Sequence, residues 1–258
     1  NISFLLPWKY APLMNLILLH PNELIWQGDS DSRIESAEAV LKDRRFLHIQ
    51  SVHKAEIGDL LRVGVINGST GTGAVKHIDS NSITLNVILH QHEPPPPLPV
   101  TLILALPRPK MLRRIIQSAT SMGVKKIILL NSYKVEKSFW QSPYLEPASI
   151  EEQLILGLEQ AIDTAMPEVI LRKRFKPFVE DELPGLAKGN RCIVAHPDQQ
   201  AQACSASHTK TILAIGPEGG FIPYEVEKLN SAGFETVTLG KRILKVETAV
   251  PVLLSKLF

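Results

Sequence analysis

Glu93-Pro94-Pro-Pro-Pro97-Leu-Pro99-Val100-Thr-Leu-Ile-Leu-Ala-Leu106 is where the grammar of this chain changes. Four consecutive prolines fix their own φ and offer no backbone N–H, so they exclude a helix or central strand and favour a stiff extended connection. The run that follows, Val100 to Leu106, is apolar without alternation. A strand with one wet face alternates; an unbroken run suits a strand buried on both faces, as in a parallel sheet covered by helices. Towards the C-terminus the pattern predicts a helix over Met111–Met122 ended by Gly123, a strand over Lys126–Leu130, and a longer helix over Ile150–Ala165 stopped near Pro167. Strands follow at Arg191–Ala195 and Thr211–Ile215, then a helix over Val226–Ala232 closed by Gly233, a strand over Thr236–Leu239 and a terminal helix over Ala249–Phe258. This alternation predicts an α/β domain over residues 100–258 with a mostly parallel sheet.

Towards the N-terminus the runs are short, β-branched and separated by turn residues. Phe46–Gln50, Leu60–Ile66 and Ser82–Ile88 read as strands, which predicts a small β-barrel-like domain over residues 14–89. Asn67-Gly68-Ser-Thr-Gly71-Thr-Gly73 reads as a hairpin loop; as a phosphate loop it would need a better-placed lysine than Lys76 and a helix after it. Residues 90–99 are the linker, and His90 and His92 within it have no further ligand cluster nearby, so no metal is expected. Pro7, Lys9 and Pro12 interrupt the apolar start, which makes it a poor membrane span and a poor signal peptide. Met14 opens Met-Asn-Leu-Ile-Leu-Leu, the expected first strand, with residues 1–13 an upstream extension or a loosely held arm.

Composition bounds the function. A chain of 258 residues and 28.6 kDa suits two domains. With 44% hydrophobic and 21% charged residues it is neither a disordered chain, a collagen-like fibre nor a coiled coil. Lys and Arg number 28 against 26 Asp and Glu, and this near-balance neither requires nor excludes a nucleic-acid partner. Cys192 and Cys204 are the only cysteines and form no CxxC pair, which argues against a disulfide scaffold or a thiolate zinc site and makes a cytoplasmic location the expectation.

Two loops in the second domain carry the chemistry. Ile215-Gly216-Pro217-Glu218-Gly219-Gly220-Phe221 leaves a buried strand and enters a helix at Pro223. Such loops lie at the carboxyl ends of strands, where α/β sheets bind ligands. By itself it reads equally well as an ordinary strand-to-helix turn, since it has neither dinucleotide-loop nor nucleotide-triphosphate-loop spacing. Leu239-Gly240-Lys241-Arg242-Ile243-Leu244-Lys245-Val246-Glu247-Thr248-Ala249 joins the last strand to the last helix. Together these segments resemble the GPEGG and LGxRILRxETA signatures of the RsmE family, the 16S ribosomal RNA uridine-N3 methyltransferases of the SPOUT superfamily.

The resemblance spans nearly the whole chain from Met14 and implies S-adenosylmethionine as cofactor, held largely by backbone groups. It implies a catalytic domain with a C-terminal trefoil knot, preceded by a PUA-like RNA-binding domain that includes Arg45-Phe46 and Val52-His53-Lys54. It implies a homodimer paired through the apolar Val250–Phe258 segment, acting on 16S ribosomal RNA or the small ribosomal subunit. The cofactor residues it implies are Ala195, His196 and Pro197 after one strand, Ile215, Gly216, Pro217, Glu218, Gly219 and Gly220 after another, and Leu239, Gly240, Arg242, Ile243, Leu244, Thr248 and Ala249 at the end.

Uridine N3 is a weak nucleophile until its proton leaves, and the attacking uracil gathers negative charge on its carbonyl oxygens. Arg242 is expected to stabilise that charge, the alternative being an arginine that pairs with Glu247 and braces the loop. Glu247 is the second expected catalytic residue; orienting Arg242 or capping the final helix suits a carboxylate better than deprotonating uridine. His196 is read as a positioning residue. Arg45, Lys54, Arg113, Arg114 and Arg172 are expected to contact RNA, while Phe139 and Trp140 are expected in a hydrophobic cluster rather than against a base. The chain departs from the family pattern at Lys54, Ser121, Thr164 and Ile222, the last removing a helix cap. These departures leave two alternatives: a SPOUT enzyme for another RNA nucleotide, and an RNA-binding homologue without catalysis.

Overall fold

A computed structural model describes residues 15–27, 36–90, 93–198, 201–207 and 209–258. Residues 1–14, and with them the expected start at Met14, lie outside the described residues, as does His92. Two compact units emerge: one holds the described residues up to Pro95 together with Leu158–Ala165, the other Pro96–Gly157 with Met166–Phe258.

The first unit contains β1 (Ile17–Leu19), β2 (Ile25–Gln27), β3 (Ser36–Leu41), α1 (Arg44–His48), β4 (Leu60–Val65), β5 (Thr70–Ile78) and β6 (Ile83–Leu89). They form one six-stranded sheet in the order β1-β4-β5-β6-β3-β2, parallel between β1 and β4 and antiparallel elsewhere. In β3 and β6 every second residue is buried, so Ala37, Ala39, Leu41, Leu85 and Val87 all face one core. Phe46–Gln50 is not a strand, contrary to the sequence reading. Asp43 caps α1 by accepting the Arg45 N–H at 2.8 Å, and Phe46 and Ile49, three apart, enter the core together.

Leu158–Ala165 is integral to this unit. The Leu16 N–H donates to the Glu159 carbonyl at 3.0 Å and the Asn67 N–H to the Thr164 carbonyl at 2.8 Å, while the Thr164 hydroxyl donates to the Gly68 carbonyl. The helix expected to reach Ala165 therefore ends at Ala161, and Ile162 turns the chain at φ 55°.

The second unit contains β7 (Val100–Ala105), α2 (Pro109–Ser121), β8 (Lys126–Leu130), most of α3 (Pro147–Ala161), β9 (Glu168–Arg172), α4 (Phe175–Pro177), α5 (Leu183–Ala187), β10 (Arg191–Ala195), β11 (Gln202–Ala203), β12 (Thr211–Ile215), α6 (Pro223–Ser231), β13 (Glu235–Thr238) and α7 (Val246–Leu257). The sheet is seven-stranded and parallel throughout, in the order β11-β13-β10-β12-β7-β8-β9. The unbroken apolar runs occupy its middle: β12 is buried at every residue, and β7 and β8 at nearly every one. β9 and β11, which the sequence reading did not foresee, are its edges. α7 carries Pro251 inside it and turns Val246, Val250, Leu253, Leu254 and Leu257 into the core of its own chain. Among the described residues no helix is long and apolar enough to cross a membrane.

Candidate functional site

Because the sheet is parallel, its register fixes which loops meet. Ala195 at the end of β10 pairs with Ile215 at the end of β12 and with Val237 near the end of β13. Ile215 pairs in turn with Leu104, and Ala105 with Leu130. Five strands thus finish level, and the loops leaving them share one rim. A cavity of about 520 Å³ opens there. Every residue expected to hold the cofactor lines it except Thr248, which is exposed on the first turn of α7 with its N–H donating to the Lys245 carbonyl at 3.0 Å. The wall also includes Lys134, Val237, Thr238, Lys245 and Leu253, absent from the sequence-based set.

The glycine-rich loop is held from two sides. Phe221 is buried against Phe175, with ring centroids 6.3 Å apart, which anchors the loop's end in the core. Glu218 accepts the Arg108 N–H at 2.9 Å, tying the loop to the segment before α2. Gly216 and Gly220 are the positions that need glycine: a Cβ on Gly216 would stand 2.9 Å from the Phe221 nitrogen, and Gly220 lies at φ 70°.

The cap expected to be missing at Ile222 is supplied from further along. Glu225, 3% exposed, accepts the Ile222 N–H at 3.0 Å through one carboxylate oxygen and the Tyr133 N–H at 2.8 Å through the other. One buried carboxylate therefore caps α6 and fastens the loop after β8.

His196 stands in the cavity wall with Nδ1 buried and without a hydrogen-bond partner among the described residues. Burial, helped by the nearby Lys134 charge and opposed by Asp198, lowers its pKa and keeps the ring neutral. A buried unpartnered nitrogen costs free energy unless something fills its hydrogen-bonding capacity. This nitrogen, the apolar side chains of Ile215, Leu239, Leu244 and Leu253, and the backbone of the two loops fit a ligand part apolar and part polar, as a nucleoside-bearing cofactor is.

Arg242 lies at the rim, exposed, between exposed Lys241 and Ile243. No ion pair joins it to Glu247, which sits half-buried at the second position of α7, where a negative charge meets the positive helix end. Among the described residues no carboxylate pairs with Lys241, Arg242 or Lys245.

The residues expected to contact RNA fare differently. Arg45 is buried, its guanidinium donating to Asp43, to Glu23 and, at 2.7 Å, to the Leu18 carbonyl. This corrects the sequence reading, because every face of the group already has an internal partner. Arg172 is likewise paired with Glu182, at 2.7 Å, and Arg113 lies over the Tyr144 ring at 5.1 Å. Arg114 and Lys54 are exposed. Trp140 is half-buried, donating to Asn131 at 2.7 Å.

Residues 94–258 match the family model of the RNA methyltransferase domain. The chain belongs to the RNA methyltransferase family. Its similarity extends to relatives called ribosomal RNA small subunit methyltransferase E: one from Treponema pallidum is 27% identical over 240 residues, covering 92% of this chain and 87% of the relative. One from Mesomycoplasma hyopneumoniae is 30% identical over 160 residues, covering 59% of this chain and 66% of the relative. Among solved structures, the Neisseria gonorrhoeae methyltransferase E bound to S-adenosyl methionine shares the fold with a TM-score of 0.72 at 20% identity, covering 94% of this chain and 95% of that one. Level strand ends with a glycine-rich loop at the carboxyl edge are where open α/β sheets bind ligands.

Proposed function

We propose that this chain is an S-adenosylmethionine-dependent methyltransferase acting on uridine N3 in 16S ribosomal RNA of the small subunit. The observation that carries it is the meeting of both signature loops around one cavity, with an unpaired Arg242 at its rim. The names of the relatives support the ribosomal substrate. Bound in the cavity, S-adenosylmethionine would supply an electrophilic methyl group on a positively charged sulfur.

The chain's own residues do the rest. The backbone of Gly216–Gly220 and Leu239–Leu244 and the neutral His196 hold and orient the cofactor. Arg242, with no carboxylate to neutralise it, stabilises the negative charge that the uracil oxygens gather as N3 loses its proton. Glu247 strengthens the start of α7 and so fixes the end of the loop that presents Arg242. In this reading the last loop and α7 complete a trefoil knot, the first unit is a PUA-like RNA-binding module, and the enzyme works in the cytoplasm. Pairing into a homodimer is retained on the family resemblance alone, because α7 buries its apolar residues within one chain.

Calorimetry with S-adenosylmethionine, followed by mass spectrometry of small-subunit RNA transcribed in vitro and incubated with enzyme and cofactor, tests the proposal. The expected result is saturable cofactor binding and one methyl group on a uridine N3. No cofactor binding would overturn the enzymatic reading, and a methyl group on another nucleotide would overturn the uridine assignment.

A further inference from the structure

Lys134 belongs to neither signature loop and reaches the cavity from the turn after β8. Its ammonium donates to the Gly219 carbonyl at 2.6 Å, and its chain lies across that glycine: Cδ stands 2.8 Å from where a Cβ on Gly219 would project. The root of the side chain is fixed as well, because the N–H of the preceding Tyr133 is held by the buried carboxylate of Glu225.

A carbonyl needs only a neutral donor, so the bond to Gly219 leaves the choice of a full charge unexplained. A lysine ammonium has three donors, and the Gly219 carbonyl takes one. Among the described residues no carboxylate pairs with Lys134, and the side chain is exposed. A lysine left unneutralised and pre-positioned at the rim of a site suits an anionic oxygen arriving from outside. Much of the cavity wall is apolar side chains and backbone, whereas Lys134 brings an exposed charge to it.

Resting on the RNA-methylating reading above, we propose that Lys134 binds a backbone phosphate beside the target nucleotide and holds that nucleotide over the cavity. Lys134 is then a substrate-contacting residue supplied by a different strand end from Arg242. The carboxylate of the cofactor is the competing source of an anionic oxygen.

The test measures binding of in vitro transcribed small-subunit RNA by the full chain, Lys134→Gln and Lys134→Arg across a salt series, alongside calorimetry with S-adenosylhomocysteine. Losing one phosphate contact on single-stranded RNA should lower the slope of log affinity against log salt by about 0.7, so that the affinity lost between about 50 mM and 200 mM salt is roughly 2.5-fold smaller in Lys134→Gln. Lys134→Arg should restore the slope, whereas a merely bracing role would change S-adenosylhomocysteine affinity in Lys134→Gln and leave the slope unaltered. An unchanged slope in Lys134→Gln overturns the inference, and a selective loss of S-adenosylhomocysteine affinity assigns the charge to the cofactor carboxylate instead. Failure of the unaltered chain to bind the RNA at all overturns the methyltransferase reading and this inference together.

Discussion

The paired cations of the first unit and the cations lining the second unit's cavity are held in opposite ways. In the first, Arg45 is enclosed by Asp43 and Glu23, Arg44 reaches Glu159 at 2.9 Å, and Lys76 pairs with Glu38. In the second, Lys134, Arg242 and Lys245 line the cavity with no carboxylate partner among the described residues. The contrast teaches that a cluster of basic residues states nothing about its use until its partners are known. A paired guanidinium holds its own fold together, while an unpaired one is available to something else.

The contrast breaks most visibly at Arg242. Arg242→Ala should lower the single-turnover rate about 10²–10³-fold, as loss of one preorganised donor typically does, with S-adenosylmethionine affinity little changed by calorimetry. Arg242→Lys should stay impaired, because a point charge does not reproduce a planar fork. A normal rate in Arg242→Ala at saturating cofactor and RNA would remove it from catalysis.

Arg45 should answer in stability. Arg45→Met strands two carboxylates and should cost about 3 kcal/mol in urea unfolding, at the low end for a broken buried pair because Asp43 and Glu23 keep partial access to water. Acid probes the same cluster. Burial alone would raise the Glu23 and Asp43 pKa values, but the hydrogen bonds and charge of Arg45 outweigh it and hold both below their ordinary range. Their contribution is therefore present above the unfolded carboxyl pKa, about 4, and is lost as the pH falls through the lower folded values. Arg45→Met should flatten that acid limb. An unchanged limb together with weakened RNA binding would restore Arg45 to the interface.

The smallest effect is expected at Ile162, a β-branched residue held at φ 55° in the segment that completes the first unit. Ile162→Gly should raise stability by about 1 kcal/mol, relief of the left-handed strain exceeding the added chain entropy. Equilibrium unfolding reads this directly, and a loss of stability would mean that contacts of the isoleucine outweigh the strain.

How much of this was legible beforehand depended on whether partners lay near in sequence. The α/β order could be read because β7, β8, β10 and β12 are buried runs with little polar interruption. β9 escaped because its ends are Glu168 and Arg172, as an exposed edge permits. Phe46–Gln50 reads as a strand because its apolar residues fit either period over so short a stretch, and the deciding cap at Asp43 lies just before it. The two cavity loops were legible through their glycines and their position after strands. Arg45 was not, since Glu23 is 22 residues away. Nor was Lys134: Ser132-Tyr133-Lys134 carries no signature, and only the level register of β8, β7 and β12 brings it to Gly219.

Pro251 gives α7 a joint. With no N–H it cannot bond the carbonyl of Glu247, so the turn that begins at Val246 is coupled to the remainder of the helix by one bond fewer. Behind the joint, Leu253, Leu254 and Leu257 are locked in the core; ahead of it, Val246–Ala249 continues directly from the loop bearing Arg242. Val246 and Val250, on the near side of the joint, enter the same core, so the loop bearing Arg242 runs into a helix that is anchored from its first residue.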